Sequence, residues 1–263
     1  MAEPFDAALV QQTLHALLAA IPADEADTSS VSQRRVKRLV SEIRRAIERL
    51  TEFAHAIDPI RQPPMVLDPY QPEVLGRLIG ETMLEQPRPD LTCLHRFYGS
   101  GVYALYYVGD HPAYTPISGT ETPIYAGKAD PPTPLASTPV DQGEKLSGRL
   151  KDHVKSIRAA TNLRVEDFQC RFLVVKSGLQ KAAEDFLLDY FHPIWTDPVC
   201  NGFGKHGDDP KRRSNTVSEW DTLHPGRLWA IRPGNRPNPR TAEQIMEQIA
   251  AHFVRYPPST GHR

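Results

Sequence analysis

The feature that most constrains this chain is the stretch from Gly101 to Lys128, where two short tyrosine-glycine signatures stand in runs of strand character. Gly101-Val102-Tyr103 opens the first, and Leu105, Tyr106, Tyr107 and Val108 continue it as a dense β-branched and aromatic run. Pro123 and Ile124 lead into the second, Tyr125-Ala126-Gly127-Lys128, after a turn-rich insert from Gly109 to Thr122. Strands joined in this way form an antiparallel hairpin, which brings Tyr103 and Tyr125 together on one sheet. Gly101 and Gly127 fall where a missing side chain lets another backbone or a phosphate come close. Taken alone, the tripeptides fit a plain hairpin with packed tyrosines better.

The segments that follow narrow the reading. After a proline-rich loop, Asp130 to Val140, the stretch Glu144 to Ala160 has helical periodicity, with Leu146, Leu150, Val154 and Ile157 on one face. On another face Arg149 and His153 stand four residues apart, one above the other. Phe168 to Val175 reads as a third strand. Gly178 to Phe191 reads as a second helix, carrying Glu184 among Ala182, Ala183, Phe186, Leu187 and Leu188, from where an acid can point to the sheet edge. The order is hairpin, helix with Arg-x-x-x-His, strand, helix with Glu, then Asn201, and it resembles the core of the GIY-YIG nucleases in every part.

The resemblance covers roughly residues 96 to 232. Its nearest form is the group of type II restriction endonucleases that cut CCGCGG, to whose downstream pattern Asn201-Gly202-Phe203-Gly204-Lys205-His206-Gly207, Ser218-Glu219-Trp220-Asp221 and Leu223-His224-Pro225-Gly226-Arg227 are similar. Two departures stand out. The middle of the second signature is Ala126, and Thr196 follows Trp195 where the family often has its asparagine, so that role passes to Asn201.

The resemblance implies an α+β fold, with a small mixed or antiparallel sheet of three to four strands flanked by helices. It also implies roles. Glu184 would hold one Mg2+, a hard cation that keeps most of its waters and needs only one or two carboxylates. Arg149 would grip the scissile phosphate, and Tyr125 and Lys128 would face the phosphate and the attacking water. Tyr103 is the family's candidate for general base, yet a free phenol with a pKa of about 10 is ionised in roughly one molecule in a thousand at pH 7, so it needs help, which Lys128 or the metal could give by favouring the phenolate. His153 either passes the proton on from Tyr103 or is the base itself, and the sequence leaves both open. Asn201 would order the loop after the Glu184 helix, although Asn-Gly is also a common turn pair. Lys211, Arg212 and Arg213 are nominated for base reading, since guanine N7 and O6 suit bidentate cations.

A DNA partner must be reconciled with charge, because 31 Lys plus Arg against 32 Asp plus Glu leave a net charge of −1. The basic residues are clustered instead: nine lie between Lys145 and Lys181 and seven between Ser32 and Arg49. Locally basic surfaces on a neutral chain suit a protein that must find one sequence without adhering everywhere. A solvated helix face remains the plain reading of any single one.

Three regions are expected: a helical N-terminal extension over 1–95, the nuclease core with its recognition loop over 96–232, and a proline-rich linker with a final helix over 233–263. Within the first, Phe5 to Ala20 and Val31 to Ile57 read as amphipathic helices, the second packing by default on the core, a second subunit or DNA, and Glu73 to Gln86 reads as a third. Cys93, Cys170 and Cys200 lack metal-type spacing and read as reduced, buried thiols of a cytoplasmic protein. No apolar run is long enough to span a bilayer. Each chain offers one set of site residues, whereas cutting a duplex needs two, so a homodimer on a palindrome is expected, with a DNA methyltransferase as cellular companion. A repair or homing nuclease, or a non-catalytic DNA-binding protein of the same fold, are the other readings. The first should carry a separate binding module and the second should lack Tyr, Arg or Glu.

Overall fold

A computed structural model describes residues 6–21, 31–58, 60, 66–196, 198–204 and 215–259. Contacts divide the chain into two compact units, 1–67 and 68–263. The first contains α1 (Ala7–Ala19), capped by the Asp6 carboxylate on Leu9 N–H, and α2 (Gln33–Ile57), capped by Ser32. Phe5 lies outside the described residues. No residue of either helix is buried, and Leu39, Val40, Ile43, Ile47 and Leu50 stay exposed along α2.

The second unit is built on a three-stranded antiparallel sheet in the order β2-β1-β3, with β1 Gly101–Tyr107, β2 Tyr125–Ala129 and β3 Phe168–Val174. The chain is thus α+β, with strands at the lower number expected and all antiparallel. Every residue of β1 is buried, because both faces of the central strand are covered. Tyr103, Leu105 and Tyr107 point into one cluster with Leu146, Leu150 and Ile157 of α5 (Lys145–Ala159), Trp195, Phe203, Trp220 of α7 (Glu219–Leu223), and Ile245 and Ile249 of α8 (Ala242–Arg255). Val102, Ala104 and Tyr106 point the other way, against Met83 and Leu84 of α3 (Pro72–Leu84) and Ala183 and Leu187 of α6 (Gln180–Phe191). A period of two thus sends alternate residues of one strand into two separate cores.

Helix α3 sits tight on α6. A side chain added at Gly76 would run into the Ala182 carbonyl, and one at Gly80 into the Phe186 ring, so glycine is what allows the approach. Helix α3 thus falls in the same compact unit as the sheet, 68–263. The final helix likewise buries Ile245, Ile249 and Phe253 in the larger core. A short helix α4 (Pro139–Gln142), with a Thr138–Asp141 capping box, leads into α5.

The insert between β1 and β2 is more than a turn. A 3-10 segment, Pro112–Ile117, buries Tyr114 and Ile117. The Tyr114 hydroxyl accepts from Trp195 Nε1–H at 2.9 Å and meets His224 Nε2, and His224 Nδ1 lies 2.9 Å from Asn162 Oδ1. Asn162 Nδ2 donates to the Leu223 carbonyl, which fixes its Oδ1 as the acceptor and the His224 proton on Nδ1. Cys170 and Cys200 are buried as expected, but Cys93 is exposed, because only Leu91 of its short 3-10 turn reaches the core.

Candidate active site

Register places the signatures face to face. Tyr103 pairs with Gly127 across β1 and β2, and Leu105 with Tyr125. A side chain at Gly127 would put its Cβ 2.8 Å from the Tyr103 hydroxyl and 3.1 Å from the Tyr125 ring. Glycine there is the space in which the two phenols turn toward each other, their rings 6.1 Å apart. Gly101 has a similar reason, since a Cβ would strike the Leu173 carbonyl on β3.

Helix α5 crosses this face with Leu146, Leu150 and Ile157 in the core, which turns Arg149 and His153 toward the tyrosines. His153 is wholly buried. Its Nε2 lies 2.5 Å from the Tyr103 hydroxyl, and its ring is 5.2 Å from that of Tyr125. Phe203 stacks on the imidazole at 4.6 Å and 16°. Burial, then the neighbouring Tyr125, push the Tyr103 phenol well above its ordinary pKa of 10, against the pull of Arg149. Burial raises Tyr125 too, again opposed by Arg149. The partly buried Arg149 donates from an Nη to the Gly204 carbonyl at 2.8 Å.

The acid arrives from the opposite side of the sheet. Lys128 pairs with Val102 and so shares the face covered by α6, on which Glu184 stands. Because β2 is an edge strand, the two faces meet around it. An open cleft of about 540 Å³ is lined by Lys128, Asp130, Glu144, Lys145, Gly148, Arg149, Asp152 and Glu184, among others. Lys128 is held in an ion pair by Asp130. Burial pushes the Glu184 carboxyl up, with Lys128 and Lys181 pulling it down.

This donor set suits a hard divalent cation. Glu184 offers one partly buried carboxylate beside an open cleft, and no group of three or more His, Cys, Asp or Glu side chains gathers among the described residues. A softer metal needing several fixed protein ligands has no such set there, while Mg2+ keeps its waters.

Tyr103, Tyr125 and His153 thus cluster on one face of the sheet with Arg149 in reach of both tyrosines, and Arg149 shares an open cleft with Lys128 and Glu184. Asn201 lies on the neighbouring loop and accepts Trp220 N–H at its own carbonyl. Among the described residues no hydrogen bond joins its side chain to a site tyrosine. Lys211, Arg212 and Arg213 lie outside the described residues.

Two contributors had no role in the sequence reading. Phe203 closes over His153, and Asp130 holds Lys128. Asp130 was visible two positions beyond Lys128, and Phe203 carried no signal beyond its place after Asn201-Gly202.

A family model described as the Eco29kI GIY-YIG domain matches residues 95–253, more than half of the chain. No curated protein matches it.

Proposed function

We propose that this chain, which belongs to the Eco29kI GIY-YIG family of DNA nucleases, is a type II restriction endonuclease that hydrolyses both strands of duplex DNA at a palindrome, CCGCGG, with Mg2+. The observation that carries the catalytic reading is a cleft lined by a guanidinium, a lysine and a carboxylate, Arg149, Lys128 and Glu184, with Arg149 also in reach of the buried cluster of Tyr103, Tyr125 and His153. A non-catalytic scaffold of the same fold has no use for that complement.

Magnitude favours one proton path. With its pKa above 10, Tyr103 is ionised in fewer than about one molecule in a thousand at pH 7, a cost of more than roughly 4 kcal/mol, whereas a ring nitrogen of His153 stands at its hydroxyl to take the proton. His153 is therefore the proton acceptor. Tyr103 sits between it and the attacking water, giving its proton to Nε2 as it takes one from the water. Arg149 steers a phosphate with the part of its guanidinium that Gly204 leaves free, and Tyr125 completes that wall. Lys128 exchanges Asp130 for phosphate oxygen. Glu184, with Asp130 nearby, would hold the cation, which when bound supplies charge neutralisation on the phosphate and the departing 3′ oxygen.

One site per chain requires two chains per double-strand cut, and the exposed apolar side of α2 supports a homodimer. A methyltransferase that protects host sites is the expected companion. Incubating the protein with plasmid DNA and Mg2+, sequencing the ends, and measuring mass on a specific duplex by light scattering tests this reading. Uniform ends within CCGCGG and two chains per duplex are expected. Intact DNA, or random nicking by one chain per duplex, overturns it.

A further inference from the structure

Arg227 does not line the cleft, yet its guanidinium is bound on all sides. It is 5% exposed. Its Nε and one Nη donate to the two Asp221 oxygens, each at 2.6 Å, and Ser218 Oγ donates to the second of these oxygens at 2.5 Å. The same Nη donates to the Gly202 carbonyl at 2.9 Å and the other Nη to the Phe203 carbonyl at 3.2 Å. The guanidinium plane rests over Trp220 at 4.4 Å. Only a flat fork of donors can hold a carboxylate and two successive carbonyls at once, and a lysine ammonium cannot.

What it holds is the wall of the active site. Gly202 has φ +108, a conformation open to glycine, and a side chain there would strike Ser218. Phe203 stacks on His153 and meets the Tyr125 ring edge-on at 5.1 Å. The next carbonyl, Gly204, accepts from Arg149, and a Cβ at Gly204 would run into the Tyr125 hydroxyl. Two residues on from the fork, then, sit the contacts that orient Arg149 and His153.

We infer that Arg227, clamped by Asp221, is a positioning residue for catalysis: through the carbonyls of Gly202 and Phe203 it sets the Phe203 ring on His153 and the Gly204 carbonyl on Arg149. The inference rests on the nuclease reading above. It assigns Arg227 no contact with DNA, so its removal acts on rate and not on affinity.

The test compares the full-length protein with Arg227→Lys and Asp221→Asn. Both should bind a CCGCGG duplex in Ca2+ with affinity within about threefold of wild type, while single-turnover cleavage falls roughly tenfold to a hundredfold, as displaced catalytic groups do. The pH profile of the cleavage rate should move, because the cover of His153 has shifted. In an Arg149→Lys background, Arg227→Lys should add little. A folded Arg227→Lys protein with unchanged rate and pH profile, or full additivity with Arg149→Lys, overturns the inference. Should Arg227→Lys not fold, Ser218→Ala removes two bonds to Asp221, one given to its carboxylate and one accepted from its N–H; a slower rate at unchanged affinity supports the relay and an unchanged rate overturns it. Should wild type leave DNA intact, the nuclease reading has failed, and the His153 imidazole resonances of wild type and Arg227→Lys still decide the geometry: unchanged shifts overturn it.

Discussion

The hydroxyl of Tyr103 and Nε2 of His153 lie 2.5 Å apart, and neither side chain is exposed to solvent. A phenol so placed can pass its proton to the imidazole. Tyr103→Phe and His153→Ala should each slow cleavage by about 10² to 10⁴ while leaving affinity for target DNA largely intact. Their combination should cost far less than the product of the two, since groups that act as one unit do not contribute independently. Single-turnover rates of the four proteins decide it, and full additivity would show two separate steps.

Glu184 is the carboxylate that α6 brings to the cleft from the far face of the sheet. Glu184→Gln should keep target binding and lose cleavage by several orders of magnitude, with Mg2+ binding weakened in titration calorimetry. A variant that cuts at near wild-type rate would remove the acid from the mechanism.

Gly127 is the floor beneath the two phenols. Gly127→Ala places a methyl group 2.8 Å from the Tyr103 hydroxyl, so something must move. A strand position tolerates alanine, and stability should fall by only about 1–3 kcal/mol from overpacking. Cleavage should fall much further than that loss explains. Denaturation curves and rates on the same preparations check it; a fully active variant would show that the phenols need no fixed approach.

Stability should depend on pH through His224. Burial, with His111 and Arg227 adding to it, holds this imidazole well below its ordinary 6.5, and the proton is excluded in the fold where Nε2 meets Tyr114. Above pH 6.5 neither folded nor unfolded chain carries that proton. Below it the unfolded chain takes one up first, so stability is lost as pH falls, by up to about 1.4 kcal/mol per unit. His111 and His252 are shifted down, chiefly by burial, and add to the same slope. Urea midpoints between pH 7.5 and 5 should fall for wild type and fall less steeply for His224→Gln. Parallel slopes would rule out His224 as a source.

Sequence made the sheet and its helices legible because their signals are local. The strand alternation around Tyr103 and the four-residue step from Arg149 to His153 each need only a short window, and the longer helices begin and end within about two residues of expectation, whereas the short α4 and α7 were not expected. The contacts that finish the site are of another kind. Arg149 reaches Gly204 across 55 positions and Tyr114 reaches His224 across 110, and no periodicity announces such closures. Arg227 was legible as part of a pattern but not as a fork, because its role depends on which carbonyls the fold delivers. Helix α3 was assigned outside the core since its packing signal, Gly76 and Gly80, reads in sequence as weak helix propensity.

The division of the site between the two faces of one edge strand also bears on how such a chain can diverge. Lys128 and Glu184 hang on the side packed by α6, while Tyr103, Tyr125, His153 and Arg149 belong to the side packed by α5. The halves share no side-chain core, so drift in one leaves the other standing. A lineage could shed its acid in a single step and retain an intact phosphate-gripping wall, turning a cutter into a reader of DNA without passing through an unfolded ancestor.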